Sequence, residues 1–172
     1  YNLLIKNATL FGSDLAKKDI GIKGDSIAKI GTDLGNEAEQ IIDAAGKLVI
    51  PGFVDIHTHL EKTMTSHLVK NESGTLGEAI KNMTEFFDEY DEEDIYNRAR
   101  QAAELAISQG TTALRSHITV DSKAGLGIIK PLIKLKEDLK DVLTLEIIAF
   151  PTPGKEGIDP PLYLLCLGEE RK

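Results

Sequence analysis

Tryptophan is absent from the 172 residues, aromatic side chains make up 5% of them, and there is a single cysteine, Cys166. One cysteine excludes an internal disulfide framework, and a reducing cytoplasm is the expected location. It also excludes the deaminase chemistry built on H-x-E and P-C-x-x-C, whose zinc needs paired cysteine ligands. No apolar run reaches the length needed to span a bilayer, so no membrane partner is expected. The opening residues, Y-N-L-L-I-K-N, show no basic region leading into an apolar core, so no signal peptide is read there. Positive charge is scarce: 20 Lys+Arg against 28 Asp+Glu leave a net charge of −8, which argues against a nucleic-acid partner. Gly-rich phosphate loops, Ser/His/Asp sets and basic-aromatic patches are missing as well.

What is present falls into two patterns. Residues 2–10, 19–23 and 26–30 alternate in the manner of short strands, with Gly12-Ser13-Asp14 and Gly24-Asp25 as turns. They predict a small antiparallel sheet over residues 1–47. From residue 48 the period changes. An apolar strand is followed by a helix with Leu76, Ile80, Met83, Phe86, Phe87 and Tyr90 at helical spacing, opened by a Thr75-x-x-Glu78 capping box. A second helix begins in the acids at 91–94, buries Ile95, Ala99, Ala102, Ala103 and Ala106, and stops at Gly110. Strands are predicted at 111–120 and 142–150, with a helix between them that carries Pro131 in its first turn. Strand, helix, strand, helix, strand is an α/β pattern of parallel units, the way a (β/α)₈ barrel begins.

Leu48 to Leu60, L-V-I-P-G-F-V-D-I-H-T-H-L, holds two of the four histidines. In an extended strand, residues two apart point to the same face, about 6 to 7 Å apart at the backbone. That spacing lets His57 and His59 share one metal ion, whereas a helix would separate them, and the helical zinc motif H-E-x-x-H is absent. Read without a ligand, they are two ordinary histidines at a strand end.

P-G-F-V-D-I-H-T-H-L-E-K-T resembles the first barrel strand of the amidohydrolase superfamily, in the H-x-H-L-[DE]-K-T form of its cytosine deaminase-like branch. Leu114-Arg115-Ser116-His117-Ile118-Thr119-Val120-Asp121 resembles that branch's R-T-H-x-x-V-D, and Ile147-Ile148-Ala149-Phe150-Pro151 its V-A-F-P. The resemblance implies a small β-sandwich-like domain followed by the first strands and helices of a TIM barrel, incomplete in this chain. The implied boundaries are 1–47 for the β domain, 48–158 for the partial hydrolase barrel and 159–172 for a tail without assignment. It implies hydrolysis of a C–N bond in a nucleobase-like or cyclic amide or amidine small molecule by a metal-activated water. His57 and His59 would be the metal ligands, holding one divalent zinc or iron ion weakly, because the family's other ligands lie on later strands. His117 would stand behind the ligands, and Lys62 and Thr152 would face substrate. Thr152 follows Phe150-Pro151 where cytosine deaminases carry a substrate-binding glutamine, which turns the reading from cytosine toward a related heterocycle. His67 reads as an exposed loop residue.

Two other readings remain open. One is a catalytically inactive fragment, whose unpaired sheet edges would be completed by a second copy or a companion chain. The other is a dihydroorotase-like cyclic amidase, which shares H-x-H but accounts less well for the two later segments.

Overall fold

The computed structural model describes residues 1–12, 16–86, 91–120 and 127–151. Thr152, Cys166 and the tail from 159 therefore lie outside the described residues, as do Phe87 and Tyr90. The chain divides into two compact units, Tyr1–Pro51 and Gly52 onward.

The first unit is a sheet of β1 (Leu3–Leu10), β2 (Lys17–Lys23), β3 (Ser26–Gly31), β4 (Gln40–Asp43) and β5 (Leu48–Val49). Its order is β3-β2-β1-β4, with β5 also on β1. The first three strands are antiparallel, as their turns require, but β4 and β5 run parallel to β1. The expected antiparallel sheet is thus a mixed one. Local turn signals cannot show that Gln40–Asp43 returns to β1 from a distance. The same pairing takes Leu48 and Val49 out of the H-x-H strand and into the first unit.

One irregularity organises this sheet. β1 shifts register between Ile5 and Ala8, and Asn7 adopts a left-handed φ of 57° there. Asparagine tolerates that region better than most residues. The Asn7 backbone N–H donates to Asp19 Oδ1 at 3.1 Å, and its side-chain amide donates to Asp43 Oδ1 at 2.9 Å. The other oxygen of buried Asp19 accepts from the Leu34 N–H at 3.0 Å.

The second unit holds β6 (Phe53–Thr58), a short 3-10 turn (Leu60–Lys62), α1 (Leu76–Phe86), α2 (Glu92–Ser108), β7 (Thr111–Val120), α3 (Lys130–Asp138) and β8 (Thr144–Pro151). The three strands are parallel, in the order β6-β7-β8. Mixed α/β character follows from the sequence pattern, with Pro131 in the first turn of α3 and Asp91 capping α2 through the Glu93 N–H. Gly52 has a steric reason: a Cβ there would lie 2.3 Å from the Thr112 side chain. Gly110, at φ 92°, makes the turn from α2 into β7.

The core of this unit lies between the sheet and its helices. Leu114, Ile118 and Val120 of β7 and Leu145 of β8 pack with Ile95, Ala99 and Ala103 of α2 and Leu132 and Leu135 of α3. Side chains alternate along a strand, so Arg115, His117, Thr119, Glu146 and Phe150 belong to the opposite face. No described helix covers that face. α1 departs from expectation, since Leu76 and Ile80 are exposed and none of its residues is buried. Its capping box is half formed: Thr75 Oγ1 accepts from the Glu78 N–H, but the Glu78 carboxylate turns to the N–H groups of Glu72 and Ser73.

The Asp19 staple predicts an acid dependence. The Leu34 N–H, followed by the Asn7 N–H and the Lys6 charge, outweighs burial and holds the Asp19 carboxyl below its ordinary value of 3.8. Its stabilisation is therefore complete above that value and is lost as pH falls below it, through the lowered pKa of the folded state. Asp19→Asn should cost about 1–3 kcal/mol in urea unfolding, because an amide cannot accept both N–H groups. The variant should also lose part of the acid-dependent fall in stability. An unchanged unfolding midpoint would show that the bulge does not need the carboxylate.

Candidate metal centre

β6 ends at His57 and Thr58, and His59 follows it directly at the head of the 3-10 turn, at the carboxyl end of the parallel sheet. Between Asp55 and Thr58 the pairing with β7 shifts register, and beyond that irregularity His57 lies beside His117 of the uncovered face. The His57 and His59 rings stand 5.2 Å apart, centre to centre, nearly perpendicular at 77°. His117 of β7 joins them, stacked on His57 at 4.3 Å with 23° between the ring planes. Phe150 of β8 stands 6.1 Å from His59 and 6.3 Å from His117, edge to face with both. The sequence-predicted residues His57, His59 and His117 are therefore brought together, and Phe150 closes one side.

What fixes the histidines lies behind them. Leu60 is buried in the core, and its N–H donates to Ser116 Oγ at 2.9 Å, tying the end of β6 to β7. The next residue, Glu61, has a fully buried side chain. Its Oε1 accepts from the Thr119 N–H at 3.0 Å and lies 3.6 Å from Lys62 Nζ. Lys62 Nζ in turn donates to the Thr119 hydroxyl. From α2, the buried Arg98 guanidinium donates to the carbonyls of Glu61 at 3.0 Å and Thr63 at 2.7 Å, while its Nε pairs with Asp94. The turn is thus clamped from both sides. The sequence places Glu61 just past the ligands without announcing its burial, and gives Arg98 no role. A signal was available, because Arg98 interrupts the apolar stripe Ile95, Ala99, Ala102 of α2.

The donor set can be tested against a metal ion. Neutral imidazoles suit zinc or iron. His59 Nδ1 and His117 Nδ1 are buried and make no hydrogen bond. Burial first, and then the neighbouring His57 and His59, hold the His117 pKa below its ordinary value, so its neutral form is favoured. However, stacked rings keep their in-plane lone pairs side by side instead of aiming them at one point, so His117 does not join His57 in a chelate. Among the described residues, no three His, Cys, Asp or Glu side chains are grouped to hold a metal ion. His57 and His59 fit a divalent metal as two of its ligands, with further ones required from elsewhere.

A model of the amidohydrolase family matches residues 40–130, more than half of the chain. The chain belongs to the amidohydrolase family. N-isopropylammelide isopropyl amidohydrolase of Pseudomonas sp. (strain ADP) is 35% identical over 159 residues, 90% of this chain and 39% of the relative. The structure of 5-methylcytosine deaminase from Klebsiella pneumoniae, liganded with phosphonocytosine, superposes with a TM-score of 0.84 at 28% identity, covering 96% of this chain and 41% of that one. The zinc complex of atrazine chlorohydrolase from Arthrobacter aurescens shares the fold with a TM-score of 0.72 at 19% identity, over 96% of this chain and 42% of that one. This amidohydrolase chain therefore spans about 40% of the length of the relatives it matches.

Replacing Arg98 tests the clamp. Arg98→Met keeps the aliphatic packing but leaves two buried carbonyls without donors and Asp94 unpaired, at a cost of about 3 kcal/mol. Chemical denaturation followed by circular dichroism measures it. A loss below about 0.5 kcal/mol, the range of ordinary surface changes, would remove Arg98 as an anchor.

Proposed function

We propose that this chain supplies two metal ligands, His57 and His59, to a metal-dependent amidohydrolase. That enzyme cleaves a C–N bond in a nucleobase-like or cyclic amide or amidine small molecule. The pairing of these two rings at the carboxyl end of a parallel sheet, on the face no described helix covers, supports the reading most strongly. In closed (β/α)₈ barrels this end of the strands is where active-site loops gather. A zinc or iron ion bound there provides Lewis acidity and a water acidified toward neutrality.

The chain's own residues do the rest. His57 and His59 bind as neutral imidazoles, so acid releases the metal. His117, stacked on His57, limits its rotation and stands behind the ligands without being one. Lys62, part-exposed and held beside Thr119, presents an ammonium that can take a hydrogen bond from no group but can donate to a carbonyl oxygen of a heterocyclic substrate. Phe150 offers an apolar edge for the ring to lie against. Thr152, outside the described residues, follows directly and is assigned to the same substrate side.

Two imidazoles hold a metal weakly, and the other ligands must come from outside the described residues. Among the described residues no strand pairs with the outer edge of β6, which favours a companion polypeptide or a second copy as their source. Val54 and Ile56 on that strand are 63% and 67% exposed, an apolar edge of the kind that pairs with another chain. By itself the chain is expected to turn over no substrate.

Zinc titration of the isolated chain by calorimetry tests this. One weak site is expected, lost in His57→Ala and in His59→Ala, weakened as pH falls, and changed by less than about threefold in His117→Ala. Tight stoichiometric binding, or binding that survives loss of His57 and His59, would contradict the assignment.

A further inference from the structure

Glu61 is a carboxylate beside the histidines that the proposed chemistry does not use, and it is fully buried. A buried carboxylate is costly unless hydrogen bonds and countercharge meet it. Here only one oxygen is met, by the Thr119 N–H, while Oε2 makes no hydrogen bond. His59 Nδ1 lies 3.7 Å from Oε1, and it too is buried without a hydrogen bond. His59 Nδ1 thus lies just beyond hydrogen-bonding distance of an oxygen that accepts from the Thr119 N–H and still has a lone pair to offer, while the orphaned Oε2 belongs to the same carboxylate. Lys62 Nζ, 3.6 Å from the same oxygen, adds countercharge there while donating to the Thr119 hydroxyl, and leaves His59 Nδ1 without a partner.

We propose that Glu61 is a positioning residue whose buried carboxylate accepts a hydrogen bond from His59 Nδ1–H and so turns the bare Nε2 toward the metal. The inference rests on the metal-ligand reading of His59. Its logic is general: a ligating imidazole is oriented, and its tautomer chosen, by the partner of its other nitrogen. The carboxylate is locked by the Thr119 N–H and by burial, and its own segment is held by Arg98, so the orientation is built into the fold before any metal arrives.

Long-range nitrogen–proton NMR on the metal-free chain at about pH 8 reads the tautomer directly, with no variant needed. His59 should carry its proton on Nδ1, and an Nε2–H tautomer would overturn the proposal. Glu61→Met removes the acceptor at similar volume and should shift His59 to Nε2–H, whereas Glu61→Gln retains an acceptor and should keep Nδ1–H. Zinc affinity should fall about tenfold in Glu61→Met and stay within about threefold in Glu61→Gln. A purely structural role would leave the tautomer unmoved in both variants. Intact zinc binding with an unchanged tautomer in Glu61→Met would overturn the role of Glu61 alone. No zinc binding by the unsubstituted chain would overturn the metal reading, and with it the ligand-orienting role.

Discussion

Everything about the histidine pair depends on a buried guanidinium. Arg98 reaches from α2 to the carbonyls of Glu61 and Thr63, and so fixes the turn that leaves β6. Turns normally lie at the surface because their backbone polar groups need partners. This one can be buried because Arg98 supplies donors to its carbonyls and Ser116 supplies an acceptor for the Leu60 N–H. With the turn held, His59 cannot swing freely, and its relation to His57 becomes a property of the fold. Two flexible imidazoles would have to be ordered at the moment of binding, with the entropy cost that ordering carries.

The sequence was legible where local pattern decides structure. Period-two alternation located β1 and β7, helical spacing and the Asp91 cap located α2, and the i, i+2 spacing put His57 and His59 on a common side. It was not legible where a distant partner decides. β4 and β5 lie parallel to β1 because of pairings across the chain that no turn residue announces. The apolar spacing of α1 suggested a buried face, yet Leu76 and Ile80 lie exposed, since periodicity shows that a face exists without showing what covers it. Nothing local in the sequence marks Glu61 or Arg98 as buried. Their burial follows from mutual satisfaction in three dimensions, which one-dimensional pattern does not carry.

The sheet of the second unit is one-sided among the described residues. Its helix-facing side is a packed apolar core, and its other side carries Arg115 paired with Glu146, the three imidazoles and Phe150. Charge and imidazole on one face and aliphatic core on the other are what a strand layer needs when one side is structural and the other chemical. In the family to which the chain belongs, the relatives it matches are two to three times longer, and among the described residues β6 is an edge strand with Val54 and Ile56 exposed.

The central claim is that His57 and His59 bind one metal ion together. X-ray absorption at the zinc edge, on the chain loaded with one equivalent, reads the ligands themselves. The account predicts two imidazole nitrogens at about 2.0–2.1 Å, the remaining positions being filled by light oxygen donors. A spectrum with no imidazole scattering, or with only one imidazole, would contradict it.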